Sequence, residues 1–333
     1  MRPVRLIALP FLIAAPILLG VANSTALPGD AEFVARIAEN DPSLAAGSLD
    51  ATLDVLAVFN PGDRHAIDTW RTSVHPSPAG RRKTTLFVGL GTTIPPRTRA
   101  RVAALGGTIV QTAQAGEAVN AELARDGSSL RIPSSHLAVL NDLTFSGLWG
   151  RPIPLERGPQ RLFHGRRKSV RAAFLHGREF AVADSSPGWQ RLVIPLSDGA
   201  AEFVWSNRSG NVEVPSLLGR PFPWNRSKIY DVVIPRVHRH GAVSLKKALL
   251  AQGLGGLFSS KAGSGGARLT DLVQSTDLAF DEWGIHLHAD TVGFTALGVL
   301  HEQVRKIVID RSFWLRISDA RHRVVYVARV DDL

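Results

Sequence analysis

Two histidine pairs, His238-x-His240 and His286-x-His288, are the residues whose types and spacing most readily suggest chemistry. Side chains two apart on a β-strand share a face. Each pair would therefore present two imidazoles side by side, and the two pairs could hold a metal ion if they met in space. Solvent-facing histidines are the commoner use of this pattern, and no metal site is expected. His301-Glu302-x-x-Arg305 begins like a zinc-protease helix, but Arg305 stands where the second histidine ligand belongs. Gly89-Leu90-Gly91 follows a strand as a dinucleotide loop would. The third glycine is missing and Pro95-Pro96 takes the helix start, so a turn fits better. No Gly-x-Ser-x-Gly occurs. The absence of cysteine excludes thiol nucleophiles, disulfides and cysteine metal sites. With no catalytic constellation left, the chain is expected not to be an enzyme, to need no cofactor, and to act by binding or conformational change.

The elements that would position such residues are numerous. At 333 residues and 44% hydrophobic, the chain can bury one large core or two ordinary ones. Its net charge of +10 favours anionic partners. The basic run Arg166-Arg167-Lys168 lacks interleaved aromatics, so nucleic acid is not an expected partner. The Ala, Gly, Val and Arg bias fits a bacterial coding sequence of high GC content. Residues 1–26 look like an export signal, with Arg2 and Arg5 before an apolar run from Leu6 to Ala22 and cleavage after Ala22 or Ala26. An uncleaved membrane anchor is the alternative, and a membrane is expected as partner only in that case. The mature chain, residues 30–333, is expected as a single domain, monomeric and secreted or held in the cell envelope.

Helical spacing marks residues 30–70, helices are expected at 95–105 and 117–125, and Ser244 caps another that Gly253 closes. Strands are expected at 84–88, 108–112, 137–145, 170–174, 180–183, 191–195, 202–205, 232–237, 276–283 and 306–309, with a hairpin at 313–317 and 323–330. Helices early and strands late make this an α+β chain. One stretch alternates strictly: Ile285, Leu287, Ala289 and Thr291 are apolar or small, while His286, His288 and Asp290 are polar. It is written to be half buried in a sheet, yet it runs into Gly293–His301 without tight-turn chemistry.

Three segments together resemble the serpin family. They are Val139-Leu-Asn141 through Trp149 to Ile153; Val233-Ile-Pro235 through Leu245 and Gly253 to Phe258; and Asp281-Glu282-Trp283-Gly284 with Ile309-Asp-Arg-Ser-Phe313 and Tyr326-Val-Ala-Arg-Val330. Their order and separations also match, over roughly residues 84–332. The resemblance implies a large central mixed sheet, sheet A, of five strands, with further sheets and with helices mainly N-terminal and here shortened. It also implies an exposed reactive loop at about 285–305. A target serine (or cysteine) protease would cleave this loop, become acylated on it, and be carried off as the freed segment inserts as a new central strand.

By the resemblance, Gly284 is the hinge glycine and Glu282 the acid two before it, and Ile285, Leu287, Ala289 and Thr291 point inward on insertion. Counting from the hinge puts the scissile bond at Gly298-Val299, whereas counting back from Phe313 puts it nearer His301. Leu297, Val299 and Leu300 suit an elastase-, chymotrypsin- or subtilisin-like target. Trp149, Asn141 and Gln274 match breach and shutter positions, with Gln274 in place of the family's histidine. Leu287 and the histidines are larger than the small hinge residues of inhibitory members. A non-inhibitory binding or structural protein of the cell envelope is therefore the alternative function.

Overall fold

A computed structural model describes residues 44–47, 81–125, 131–132, 134–135, 137–208, 213–222, 224–251, 273–287 and 304–333. In chain order the strands are β1 (Leu44–Gly47), β2 (Arg81–Gly89), β3 (Thr108–Thr112), β4 (Leu137–Leu148), β5 (Arg161–His164), β6 (Ser169–Ala172), β7 (Phe174–Ser186) and β8 (Trp189–Leu196). They continue with β9 (Gly199–Ser206), β10 (Lys228–Pro235), β11 (Val237–Ser244), β12 (Val273–Phe280), β13 (Gly284–Leu287), β14 (Lys306–Val308), β15 (Phe313–Asp319) and β16 (Val324–Val330). The described α-helices are α1 (Pro96–Ala104), α2 (Ala115–Arg125) and α3 (Lys246–Ala251). None is long and apolar enough to cross a membrane.

Two sheets carry the architecture: an eight-stranded one in the order β1-β16-β15-β9-β8-β7-β10-β14 and a six-stranded one in the order β11-β12-β13-β4-β2-β3. Phe145, Leu278, Phe280 and Ile285 of the smaller sheet share a buried core with Phe203, Phe313 and Leu315 of the larger. The rings of Phe203 and Phe280 meet edge to face at 5.9 Å. Strands β8, β9, β15 and β16 are buried nearly throughout, which explains their almost unbroken apolar runs.

Charged exceptions in these strands are paired. Arg191 meets Asp184 and Glu202 and donates to the carbonyls of Leu217 and Arg220, while Glu202 also holds Arg316 and the Gly219 amide.

Local chemistry explains the helix limits. Pro96 starts α1 where its missing N–H costs nothing, and Gly106 at φ 65° ends it. Along α2, Ala115, Val119 and Leu123 recur at four-residue spacing and pack on Phe87, Ala138 and Leu140 of the six-stranded sheet.

Several boundaries differ from expectation. Residues 44–47 lie in a stretch with helical spacing but form a strand, because the Leu-Ala-Ala-Gly segment pairs along the edge of β16. The strand expected at 276–283 ends at Phe280, since the Asp281 carboxylate captures the next amides and turns the chain. The single strand expected at 232–237 divides at Arg236, whose amide bonds the Ala173 carbonyl, and continues in a different sheet as β11. The resemblance implied five strands for the central sheet; the described residues form six, the additional one being β13.

Candidate functional site at the head of the six-stranded sheet

The sixth strand is the start of the alternating segment. Its residues Gly284–Leu287 all pair antiparallel with β4, and Ile285–Leu287 pair antiparallel with β12 on the other side. Ile285 is fully buried against the core, as the odd-numbered alternation requires.

Asp281 makes the turn into β13. Its Oδ1 accepts the amides of Trp283 at 2.8 Å and Gly284 at 3.1 Å, and its own amide donates to the Gly284 carbonyl at 3.0 Å. An aspartate whose side chain caps the amides two and three residues on is a standard turn device. Asp281 thus shapes the turn into β13, a role that the segment Asp281-Glu282-Trp283-Gly284 carried in its Asp-x-x-Gly turn signal.

The segment following β4 fixes the turn from the other side. Trp149 donates its indole Nε1–H to the Asp281 carbonyl and its backbone N–H to the Trp283 carbonyl, both at 2.9 Å. The Ile153 amide donates to the Glu282 carbonyl at 2.8 Å. All three turn carbonyls are therefore engaged. Trp149 is itself buried and bridges to Leu196 of the larger sheet. The half-buried Glu282 side chain sits 4.0 Å from an exposed Arg236, a pair too open to solvent to hold the turn.

Two glycines allow the strands this close. A Cβ on Gly284 would overlap the Gly147 carbonyl oxygen, and one on Gly147 would meet Leu196 Cδ1 at 2.7 Å. Gly284 is thus required by contact with β4. Beneath this segment lies Glu179, 3% exposed, its carboxylate beside Gly150. Burial pushes its carboxyl up to about 7, and Arg151 opposes that shift.

Below Leu278 and Phe145, no ladder joins the facing edges of β12 and β4 among the described residues. Gln274 is buried on β12, and its Oε1 has no hydrogen-bond partner among the described residues. Asn141 sits on β4. The structure thus brings together Trp149, Glu282, Gly284 and Ile285 at the head of the sheet. Leu287 closes β13, and Asn141 and Gln274 lie on the flanking strands further down. Ala289, Thr291, Leu297, Gly298, Val299, Leu300 and His301 lie outside the described residues.

No family model matches the sequence, and no curated protein matches it. Solved structures do match. A highly specific serpin of the insect Tenebrio molitor superposes with a TM-score of 0.68 at 14% identity, over 93% of this chain and 96% of that one. A serpin of the trematode Schistosoma haematobium gives 0.68 at 14% identity, over 93% and 99%. Human thyroxine-binding globulin in complex with its hormone gives 0.67 at 18% identity, over 91% and 96%. The chain is a serpin-fold protein, α+β in class.

Proposed function

We propose that this protein inhibits a serine protease by reactive-loop cleavage and insertion of the freed strand between β12 and β4. The observation that carries this reading is β13 itself, already seated between those strands, whose facing edges have no ladder further down among the described residues. Continuing its register by five residues would place 288–292 between 277–273 of β12 and 144–140 of β4. Thr291 would then fall opposite both Gln274 and Asn141, where its hydroxyl could meet the Gln274 Oε1 that has no hydrogen-bond partner among the described residues. The inward set Ile285, Leu287, Ala289 and Thr291 would face the core together. In this reading the scissile bond lies within Leu297–His301, the domain spans residues 30–333 and acts as a monomer, and the target is met outside the cytoplasm.

The Asp281 turn gives the mechanism a fixed pivot. Insertion need only propagate from a hinge held by Trp149 and Ile153, adding ladder on both sides as it goes. Five residues paired on two edges give on the order of five to ten new backbone hydrogen bonds at a net ~1 kcal/mol each.

The test is to incubate the protein with elastase-, chymotrypsin- and subtilisin-type proteases. The expected product is a covalent complex that survives denaturing electrophoresis, and nicking at 297–301 is expected to raise the melting temperature by at least about 10 °C. An unchanged melting temperature after the nick would refute insertion. Nicking with a raised melting temperature but no covalent complex would favour the non-inhibitory alternative, in which the size of Leu287 slows the trap.

A further inference from the structure

A buried carboxylate lies directly under the segment that holds the hinge turn. Gly150 and Arg151, both exposed, sit between Trp149 and Ile153, whose donors hold all three turn carbonyls. Beneath them stands Glu179 of β7, 3% exposed, with Oε2 3.7 Å from where a Gly150 Cβ would lie. Ile153 seats the same segment on β7 at Gly177, where an added Cβ would meet Ile153 Cγ2 at 3.2 Å. Residues two apart on a strand share a face, so Gly177 and Glu179 form one floor under residues 149–153.

The groups around Glu179 compensate its charge poorly. Across the ladder it faces Tyr230, itself buried. From above, Arg151 opposes burial through its guanidinium charge and its amide. Lys228 and Arg305, the cations at the ends of the adjoining strands, are exposed, and Arg178 lies on the opposite face of β7. On the turn, the Asp281 carboxylate is engaged by two amides and Glu282 lies toward Arg236. Burial outweighs Arg151 and pushes the carboxyl up to about 7. An ionised Glu179 would be relieved if Gly150 and Arg151 lifted, because solvent lies immediately above them. Lifting them withdraws Trp149 and Ile153 from the turn.

We propose that Glu179 makes the hold on the hinge proton-dependent. The neutral carboxyl lets residues 149–153 stay seated on β7 and keep the turn, whereas the carboxylate lifts the segment and frees β13. The direction follows from the folded value of about 7 lying above the ordinary 4.5. Seating is therefore strongest below pH 4.5 and weakens as pH rises to 7. If lifting returns the carboxyl to its ordinary range, opening rises by at most roughly 70-fold between pH 5 and pH 8. The device needs only the seated turn and stands whether or not the chain traps a protease.

The test is hydrogen–deuterium exchange of residues 281–287 in the full chain between pH 5 and pH 8. Each rate is divided by the unstructured rate at the same pH, which leaves the opening equilibrium. In wild type that equilibrium should rise at least ~10-fold, most of it below pH 7. Glu179→Gln keeps the size and the neutral state of the side chain, so its opening should stay constant within about twofold. Urea below the unfolding transition should leave the rise unchanged, because a local opening exposes little surface. A flat wild-type profile, an equal rise in Glu179→Gln, or a rise that grows with urea as global unfolding does would each overturn the proposal.

Discussion

Replacing Gly284 with Ala tests whether β13 belongs in the sheet. Gly284 pairs with Leu148, and its φ lies outside the left-handed region, so alanine is acceptable to the backbone torsion. The obstacle is steric. The added Cβ would overlap the Gly147 carbonyl oxygen and stand 2.9 Å from Leu148 Cα, both backbone atoms that cannot swing aside. Forcing a methyl group into such a contact costs ~1–3 kcal/mol, which corresponds to roughly 5- to 140-fold in the equilibrium between seated and released β13. Hydrogen–deuterium exchange of the peptide covering 281–288 measures it directly, with the amides of 285–287 exchanging faster by that factor. Gly150→Ala is the matched control on the adjoining segment, because its Cβ would meet nothing closer than Glu179 Oε2 at 3.7 Å, an ordinary contact. Wild-type protection in Gly284→Ala would mean that β13 does not pack against β4 as described, and loop insertion would lose its starting point.

Other perturbations probe the same region. Glu179 has a folded pKa of about 7 against an ordinary 4.5, so its carboxyl stays neutral in the fold while the unfolded chain ionises it, and stability is lost as pH rises from 4.5 to 7. Glu179→Gln should therefore match wild type near pH 4 and exceed it by roughly 3 kcal/mol at pH 8; equal urea midpoints at pH 8 would contradict this. Trp149→Phe removes the donor to the Asp281 carbonyl and should cost ~1–3 kcal/mol, read as a lower urea midpoint together with faster exchange at 281–284. Leu287→Ala should raise the fraction of protease trapped relative to inhibitor merely cleaved. No gain in that ratio would remove hinge bulk as the limiting factor.

What the sequence revealed depended on how local each cause was. The alternation from Ile285 onward could be read directly, because pleating alone puts odd-numbered residues on one face, and Ile285 is indeed fully buried. The helix ends at Pro96 and Gly106 were equally legible, being torsional preferences of single residues. Gly284 could be recognised by resemblance, but its reason could not. That reason is the Gly147 carbonyl on a strand distant in sequence, and no local pattern encodes such an approach. The strand was expected to run through Trp283; the Asp281 side chain ends it at Phe280 by offering the next amides a nearer acceptor. The histidine pairs show the limit most clearly. Each was visible as two imidazoles on one strand face, and whether they could meet depended on which strand separates them. Had β13 stayed out of the sheet, His286 would have no register with His238; with β12 as the shared neighbour, both fall beside Ala279. Strand order is a property of the whole chain's burial, so which residues stand across the ladder from His238 is set by the topology and not by any pattern around it.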